Sequence, residues 1–323
     1  MPKISMPPLE IESSQGFSDP ADECGPYATA ALGDLGGLSQ FGVRIEMLPP
    51  GSASSIRHWH SAEDEFVYML DGQLVLVEDT GESVMNEGSA AAFRAGVRNG
   101  HTLENRSRAD ATFLVAGWRD NSDICTYSGR DRLCIKPDGA PRFTRRDGTP
   151  IERNARAEPY DDPPPEGRGG VINVAAIPVR TGSDYPAPHA DLMHQRSWLP
   201  LGQAGGLSQF GANLVTLQAG GLSSLRHWHS AEDEFVLVLD GLLLLIEDDG
   251  ETMLQPGDAS AHPAGLANAH HMRNVSSGEA RFLVIGTRAM QDTCTYADVD
   301  LVCITEDGEG RYETRDGTPV PGN

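Results

Sequence analysis

Apolar residues along this chain fall in short blocks that do not follow a helical period. Phe66–Leu70 (FVYML), Leu74–Val77 (LVLV) and Leu242–Ile246 (LLLLI) each end at a turn signal. Asp71-Gly72 and Asp240-Gly241 precede two of these blocks, and Thr80-Gly81 and Asp249-Gly250 follow them. Asp-Gly tolerates positive φ at both central positions, so each pair predicts a hairpin. Strands of four to six residues at a spacing of about ten predict a sandwich or barrel. The blocks do not alternate cleanly between apolar and polar, which implies strands covered on both faces. With 36 Gly and 22 Pro and few helix-period patterns, the expected class is all-β.

The chain also repeats itself. A shift of 169 lays Asp34–Pro150 over Gln203–Pro319 without a gap. LSQFG at Leu38–Gly42 recurs at Leu207–Gly211, RHWHSAEDEFV at Arg57–Val67 recurs at Arg226–Val236, and RDGTP at Arg146–Pro150 recurs at Arg315–Pro319. A period this long exceeds that of solenoid units and fits two tandem copies of one domain. The expected division is an N-terminal arm over 1–32, a first domain over 33–152, a linker over 153–168 and a second domain over 169–323. The linker reading rests on its prolines, which block ladder hydrogen bonds, and on its charges.

Charge narrows the partners. The chain has 25 Lys and Arg against 47 Asp and Glu, a net of −22, and no long basic run, so nucleic acid is not expected. No run approaches the roughly 20 apolar residues that span a bilayer, so no membrane role is expected either. The N-terminus lacks a secretory pattern, which makes the cytoplasm the expected compartment and reduced cysteines the expected state.

Six of the ten histidines occupy equivalent places in the two copies: His58, His60 and His101, then His227, His229 and His270. In a strand, residues i and i+2 share a face, so His58 and His60 present both imidazoles to one side, as do His227 and His229. Glu65 and Glu234 lie five positions after the second histidine of each pair, the wrong parity for one continuous strand, so the SAED stretch must bend. His101 and His270 would complete three nitrogens and one carboxylate around an ion, one per domain. Such a set suits manganese, iron, nickel, copper or zinc and discriminates poorly among them. Glu63, Asp64, Glu232 and Asp233 are read as solvated residues of the same bend.

The segments GSASSIRHWHSAEDEFVYMLDG and GLSSLRHWHSAEDEFVLVLDG resemble the first motif of the cupin superfamily: a glycine, H-x-H, a glutamate after four residues and a closing glycine. The second motif is matched by Gly257, Pro263, Gly265, His270 and Asn274, and by Gly88, Arg94, Gly96, His101 and Asn105, where arginine replaces the usual proline. The resemblance implies a bicupin, two tandem double-stranded β-helix barrels of the jelly-roll kind, each with a metal among inward-facing side chains. It also implies a menu of activities on small-molecule substrates. The leading expectation is a dioxygenase-type oxidoreductase acting on a small chelating hydroxy, oxo or phenolic substrate. The alternatives are a redox-neutral metal-dependent isomerase, lyase or decarboxylase, and a non-catalytic small-molecule-binding cupin. Oxalate decarboxylase shares H-W-H, the glutamate and the bicupin layout, but neither copy shows its serine-rich lid or its distant arginine.

Other residues are read structurally. Arg57 and Arg226 have the wrong parity to face the ion and are expected to pair with acids. Trp59 and Trp228 are expected to point outward, between layers or between domains. No catalytic residue is assigned. Four histidines, His189, His194, His262 and His271, occur only in the second copy; His262, beside Pro263 at the expected barrel mouth, is a candidate for a supporting acid/base role, although exposed decoration is preferred. His271 is expected to face away from the site. Cys125 and Cys134, equivalent to Cys294 and Cys303, could meet across a hairpin but are expected to be small buried thiols. Tyr127, Tyr296 and the Arg-Asp-Gly-Thr-Pro tails are expected to be packing and turn elements. Two joined copies can bury the surface that a dimer of single domains would bury, and further homo-oligomerisation is left open.

Overall fold

A computed structural model describes residues 3–11, 24–137, 139–167 and 169–321. Each copy folds into two facing antiparallel sheets. In the first copy, Phe41–Leu48, Ala111–Trp118, Glu65–Asp71 and Ala90–Phe93 form the centre of a six-stranded sheet, flanked by Ala28–Ala30 and Val171–Ile172. The opposite sheet places His58–His60 between Ile124–Tyr127 and His101–Glu104, then continues through Gln73–Glu78 to Gly81–Asn86. The second copy repeats this order through Phe210–Leu217, Ala280–Thr287, Glu234–Asp240 and Ala259–His262 on one side. Its opposite sheet is split in two, and an isolated bridge between His227 and His270 joins the parts. The all-β class is as expected, and so are the hairpins at Thr80-Gly81 and Asp249-Gly250, which pair Gln73–Glu78 with Gly81–Asn86 and Leu243–Glu247 with Gly250–Leu254. Asp71-Gly72 and Asp240-Gly241 do not close hairpins: each carries the chain from one sheet to the facing one, because closing the barrel sends the next strand to the opposite wall. Among the described residues the α-helices are two four-residue turns, Leu32–Leu35 and Leu201–Ala204. Among the described residues no helix is long and apolar enough to cross a membrane.

The strand Phe41–Leu48 shows how the sequence sorts its faces. Phe41, Val43 and Ile45 are buried and point toward the other copy, where they join Phe210, Ala212 and Leu214 in one apolar cluster. Phe41 and Phe210 stack with centroids 5.8 Å apart. The alternate residues Gly42, Arg44 and Glu46 line the interior of the first barrel. These strands are covered on both faces, by the barrel interior and by the neighbouring copy, which accounts for the lack of alternation in FVYML.

Segments outside the gap-free repeat tie the copies together. Ile4 bridges to Ala259 of the second barrel, and Val171–Ile172 pairs with Ala90–Ala91 of the first. Residues 153–167 run along the first copy, where the Asp162 carboxylate accepts from the Gly129 N–H (2.6 Å) and from Arg146 (2.7 Å).

The bend residues differ from the expectation. Asp64 and Asp233 are 0% and 1% exposed and are not solvated. Asp64 accepts from the N–H groups of Ala95 (2.8 Å), Ser208 (2.6 Å) and Gln209 (3.0 Å). Asp233 does the same for Ala264 (2.8 Å), Ser39 (2.7 Å) and Gln40 (2.8 Å). Each LSQFG loop therefore docks on the bend of the opposite copy. Glu63 is buried as well, accepting from Lys136 (2.7 Å) and the Asp120 N–H (2.9 Å), while Glu232 accepts from the Ala289 N–H (2.9 Å). A polar run on a bend reads as exposed in one copy alone. The second copy supplies the donors that pay for its burial.

Candidate metal centres

The short strand His58–His60 ends at Ser61, the chain bends through Ala62–Asp64, and Glu65 opens the next strand in the opposite sheet. This break in the ladder corrects the parity of the glutamate. His101 is the register partner of His58, and Glu65 reaches it from across the barrel. His58, Glu65 and His101 bring one ligand atom each within 4.8 Å of one another, and His227, Glu234 and His270 do the same. His60 and His229 stand edge-on to their partners, with centroids 5.0 and 5.1 Å from those of His58 and His227.

The imidazoles are oriented through their Nδ1 atoms. His58 Nδ1 lies 2.9 Å from the Ile56 carbonyl, and His227 Nδ1 lies 2.8 Å from that of Leu225. His60 Nδ1 lies 2.7 Å from Asp123 Oδ2, and His229 Nδ1 lies 2.6 Å from Asp292 Oδ2. These contacts leave Nε2 of each paired histidine for another partner, the arrangement that metal-binding imidazoles use. His101 Nε2 lies 3.2 Å from Glu65 Oε1, and the same separation relates His270 and Glu234.

Burial, then the charges of His101 and His60, push His58 down to about 3, which keeps it a neutral imidazole. His227 is pushed to about 3 in the same way. Burial raises the Glu65 carboxyl, but the neighbouring His101 outweighs it and holds the group at about 2; Glu234 is likewise held low. Burial lowers His60 and His229, yet the hydrogen bonds to Asp123 and Asp292 dominate and raise both. Neutral imidazole and ionised carboxylate are the ligand forms of these residues. The donor set therefore fits a first-row divalent ion.

Several participants were not legible beforehand. Phe93 stacks on His101 at 3.6 Å and 5° between planes, and its equivalent His262 stacks on His270 at 3.4 Å and 7°. His262 is 8% exposed and lies 3.1 Å from Ser260 Oγ, so it is a buried buttress and not exposed decoration. Asp123 and Asp292, whose recurrence at the same shift was the available signal, orient the second histidine of each pair. The Cys125 thiol lies within 4.8 Å of His58 and His60 ligand atoms, as Cys294 does of His227 and His229. Burial raises the Cys125 thiol well above its ordinary value, which disfavours the thiolate a metal needs. Cys125 faces Cys134 and Cys294 faces Cys303 across paired strands, and all four are free thiols. Arg57 pairs with Asp79 and Arg226 with Asp298 and Asp248, away from the centres.

The two interiors differ. The first barrel encloses a cavity of about 550 Å³ that reaches His58, Glu65 and His101 and is also lined by Arg44, Glu46 and Lys136. The equivalent positions in the second barrel are Asn213, Val215 and Thr305, around a cavity of about 370 Å³ with Tyr185, Tyr296 and Tyr312 in its wall. Burial pushes the Glu46 carboxyl up to about 7, against the pull of Arg44 and with a further push from Glu65.

Comparison with known proteins agrees with this architecture. The cupin domain family model matches residues 44–117 and 213–286, which are equivalent under the repeat. The chain belongs to the cupin superfamily and carries two cupin domains. A cupin-superfamily sugar phosphate isomerase from Silicibacter pomeroyi DSS-3 is 44% identical over 46% of this chain and 95% of its own, with a TM-score of 0.45. The oxalate decarboxylase of Bacillus subtilis, in a structure concerned with its Mn(II) centres, is 15% identical over 89% of this chain and 79% of its own, with a TM-score of 0.50. Another oxalate decarboxylase structure, concerned with substrate binding and reaction specificity, is 16% identical over 89% and 79%, with a TM-score of 0.51. A search of curated proteins finds no match.

Proposed function

We propose that each barrel holds one divalent transition metal, with His58, His60, Glu65 and His101 as ligands in the first and His227, His229, Glu234 and His270 in the second. We further propose that the first barrel is an enzyme that moves a proton on a small chelating hydroxy or oxo substrate without net redox change, as an isomerase or lyase does. The observation that carries this reading is Glu46. It shares the inward face of its strand with Arg44, lines the same cavity as His58, Glu65 and His101, and has a carboxyl tuned to about 7. A carboxyl that titrates near the working pH can both take and return a proton.

When bound, the metal acts as a Lewis acid that polarises a substrate oxygen and favours loss of a neighbouring proton. Arg44 offers a charge-assisted hydrogen bond to an anionic end of the substrate. Val67, Phe113 and Val115 give that part of the cavity an apolar wall that limits water around the carboxyl.

The dioxygenase-type reading attaches instead to the second barrel. There Val215 removes the acid, and tyrosines form part of the wall, so a chelated substrate meets no counterpart of Glu46.

Metal quantification of protein purified without chelator is expected to give about two ions per chain, and His58→Ala and His227→Ala are each expected to remove about half. Retention of both ions in both variants rejects the ligand assignment. Incubation with panels of hydroxy acids and sugars in D2O, followed by NMR, is expected to show solvent deuterium entering a substrate without oxygen uptake. Oxygen consumption without exchange would transfer the function to the oxidative reading.

A further inference from the structure

The same positions around the paired metal centres enclose very different spaces. Beside Trp228, His229, His262 and Pro263 the second copy leaves a gap of about 10 Å³. Beside the equivalent Trp59, His60, Phe93 and Arg94 the first copy opens into a cleft of about 850 Å³, whose far wall is chain from 169–180, part of which pairs with the first copy, and from 200–206 of the other copy. A volume of that order holds a small organic ligand with room for water.

In a strongly acidic protein the lining of the cleft balances two acids, Glu63 and Glu78, with two arginines. Arg94 and Arg180 both line it, and both are exposed to the cleft solvent. The Arg94 guanidinium has no hydrogen bond or ion pair among the described residues, and Arg180 reaches a neutral group, Gln203 Oε1, at 2.8 Å. Both flank the same turn: a Cβ on Gly206 would stand 3.2 Å from Arg94 Cδ. The two acids of the lining are already engaged. Glu63 accepts from Lys136 and the Asp120 N–H, and Glu78 accepts from Asn99 Nδ2 (2.9 Å) and the Gly170 N–H (2.8 Å). At a net charge of −22, two guanidinium groups left without a carboxylate on a concave surface form an anion site.

We propose that this inter-barrel cleft binds a small anionic metabolite, an organic phosphate or a carboxylate, through Arg94 and Arg180. The ligand would lie against Trp59 and His60, outside the barrel cavity that holds Glu46. The second copy has Pro263 in place of Arg94 and has no such site. The anion would be held by the two arginines and not by the ion, although the cleft also reaches His60 and His101.

Titration calorimetry on the full chain, with inorganic phosphate and separately with malonate, tests it. The expected result is saturable binding of one of the two at one per chain, unchanged after treatment with chelator. Arg94→Gln and Arg180→Gln are each expected to weaken that binding about tenfold, and the double variant to abolish it. Both side chains are exposed, so the variants keep the fold, which circular dichroism verifies. Phosphate alone assigns the site to phosphate esters, and malonate alone assigns it to carboxylates. Absence of saturable binding of either probe at millimolar concentrations, or unaltered binding in the double variant, overturns the proposal. Because chelated protein is one arm, its failure is distinguishable from failure of the metal reading.

Discussion

At the scale of the residue, Glu46 separates the two copies more sharply than any histidine does. The proposed ligand sets are identical in kind, so the difference between the two cavities comes from what else faces them. Glu46→Gln is expected to lower turnover in the first barrel by about 10²- to 10⁴-fold with metal content unchanged, and to abolish the limb of the pH–rate profile near pH 7. The stability effect has a definite sign. The folded carboxyl titrates at about 7 against a reference of 4.5, so its contribution is complete below pH 4.5 and is lost as pH rises toward 7. Glu46→Gln is therefore expected to be more stable than wild type by roughly 3 kcal/mol above pH 7, and no more stable below pH 4.5. Urea unfolding at the two pH values measures the difference, and an equal effect at both would show that the carboxyl is not shifted.

At the scale of the element, the bend between the H-W-H strand and the next strand does two jobs. It turns Glu65 toward the histidines, and through Asp64 it anchors the other copy's LSQFG loop. Asp64→Ala removes the shared acceptor of three N–H groups at the junction of the two copies, a loss of about 3–5 kcal/mol. Asp233→Ala is expected to cost a similar amount, because it serves the equivalent three groups. Denaturant midpoints check both, and effects under about 1 kcal/mol would mean that water replaces the carboxylate in the bend. The bend adjoins Glu65, which we propose as a metal ligand, so weaker ion retention is expected to accompany the loss of stability.

At the scale of the whole molecule, the barrels share a core, and small residues set how closely they approach. Gly36 lies against Ala261 and Gly205 against Ala92, in contacts related by the repeat, and a Cβ on either glycine would fall on the opposing methyl. Gly36→Ala and Gly205→Ala are each expected to destabilise by about 1–3 kcal/mol through overpacking, although neither position requires positive φ. The shared cluster also predicts one cooperative unfolding transition, with fluorescence and circular dichroism coincident. Two separated transitions would show that the barrels fold independently.

The sequence by itself determined the all-β class, the duplication, the hairpins at Thr80-Gly81 and Asp249-Gly250 and the six paired histidines with their glutamates, because these follow from local turn chemistry, strand parity and self-comparison; that Asp71-Gly72 and Asp240-Gly241 cross between sheets was decided by barrel closure. It also foretold the bend before Glu65, since five positions cannot preserve a face. It did not reveal the burial of Asp64 and Asp233, the stacking of Phe93 and His262, or the role of Glu46. Asp64 is buried by donors 144 and 145 residues away, and Glu46 becomes a titrating group through burial in a cavity assembled from both sheets. Burial and desolvation depend on which distant strands close around a side chain. Tertiary structure alone decides them, and with them the difference between two barrels whose motifs read almost letter for letter alike.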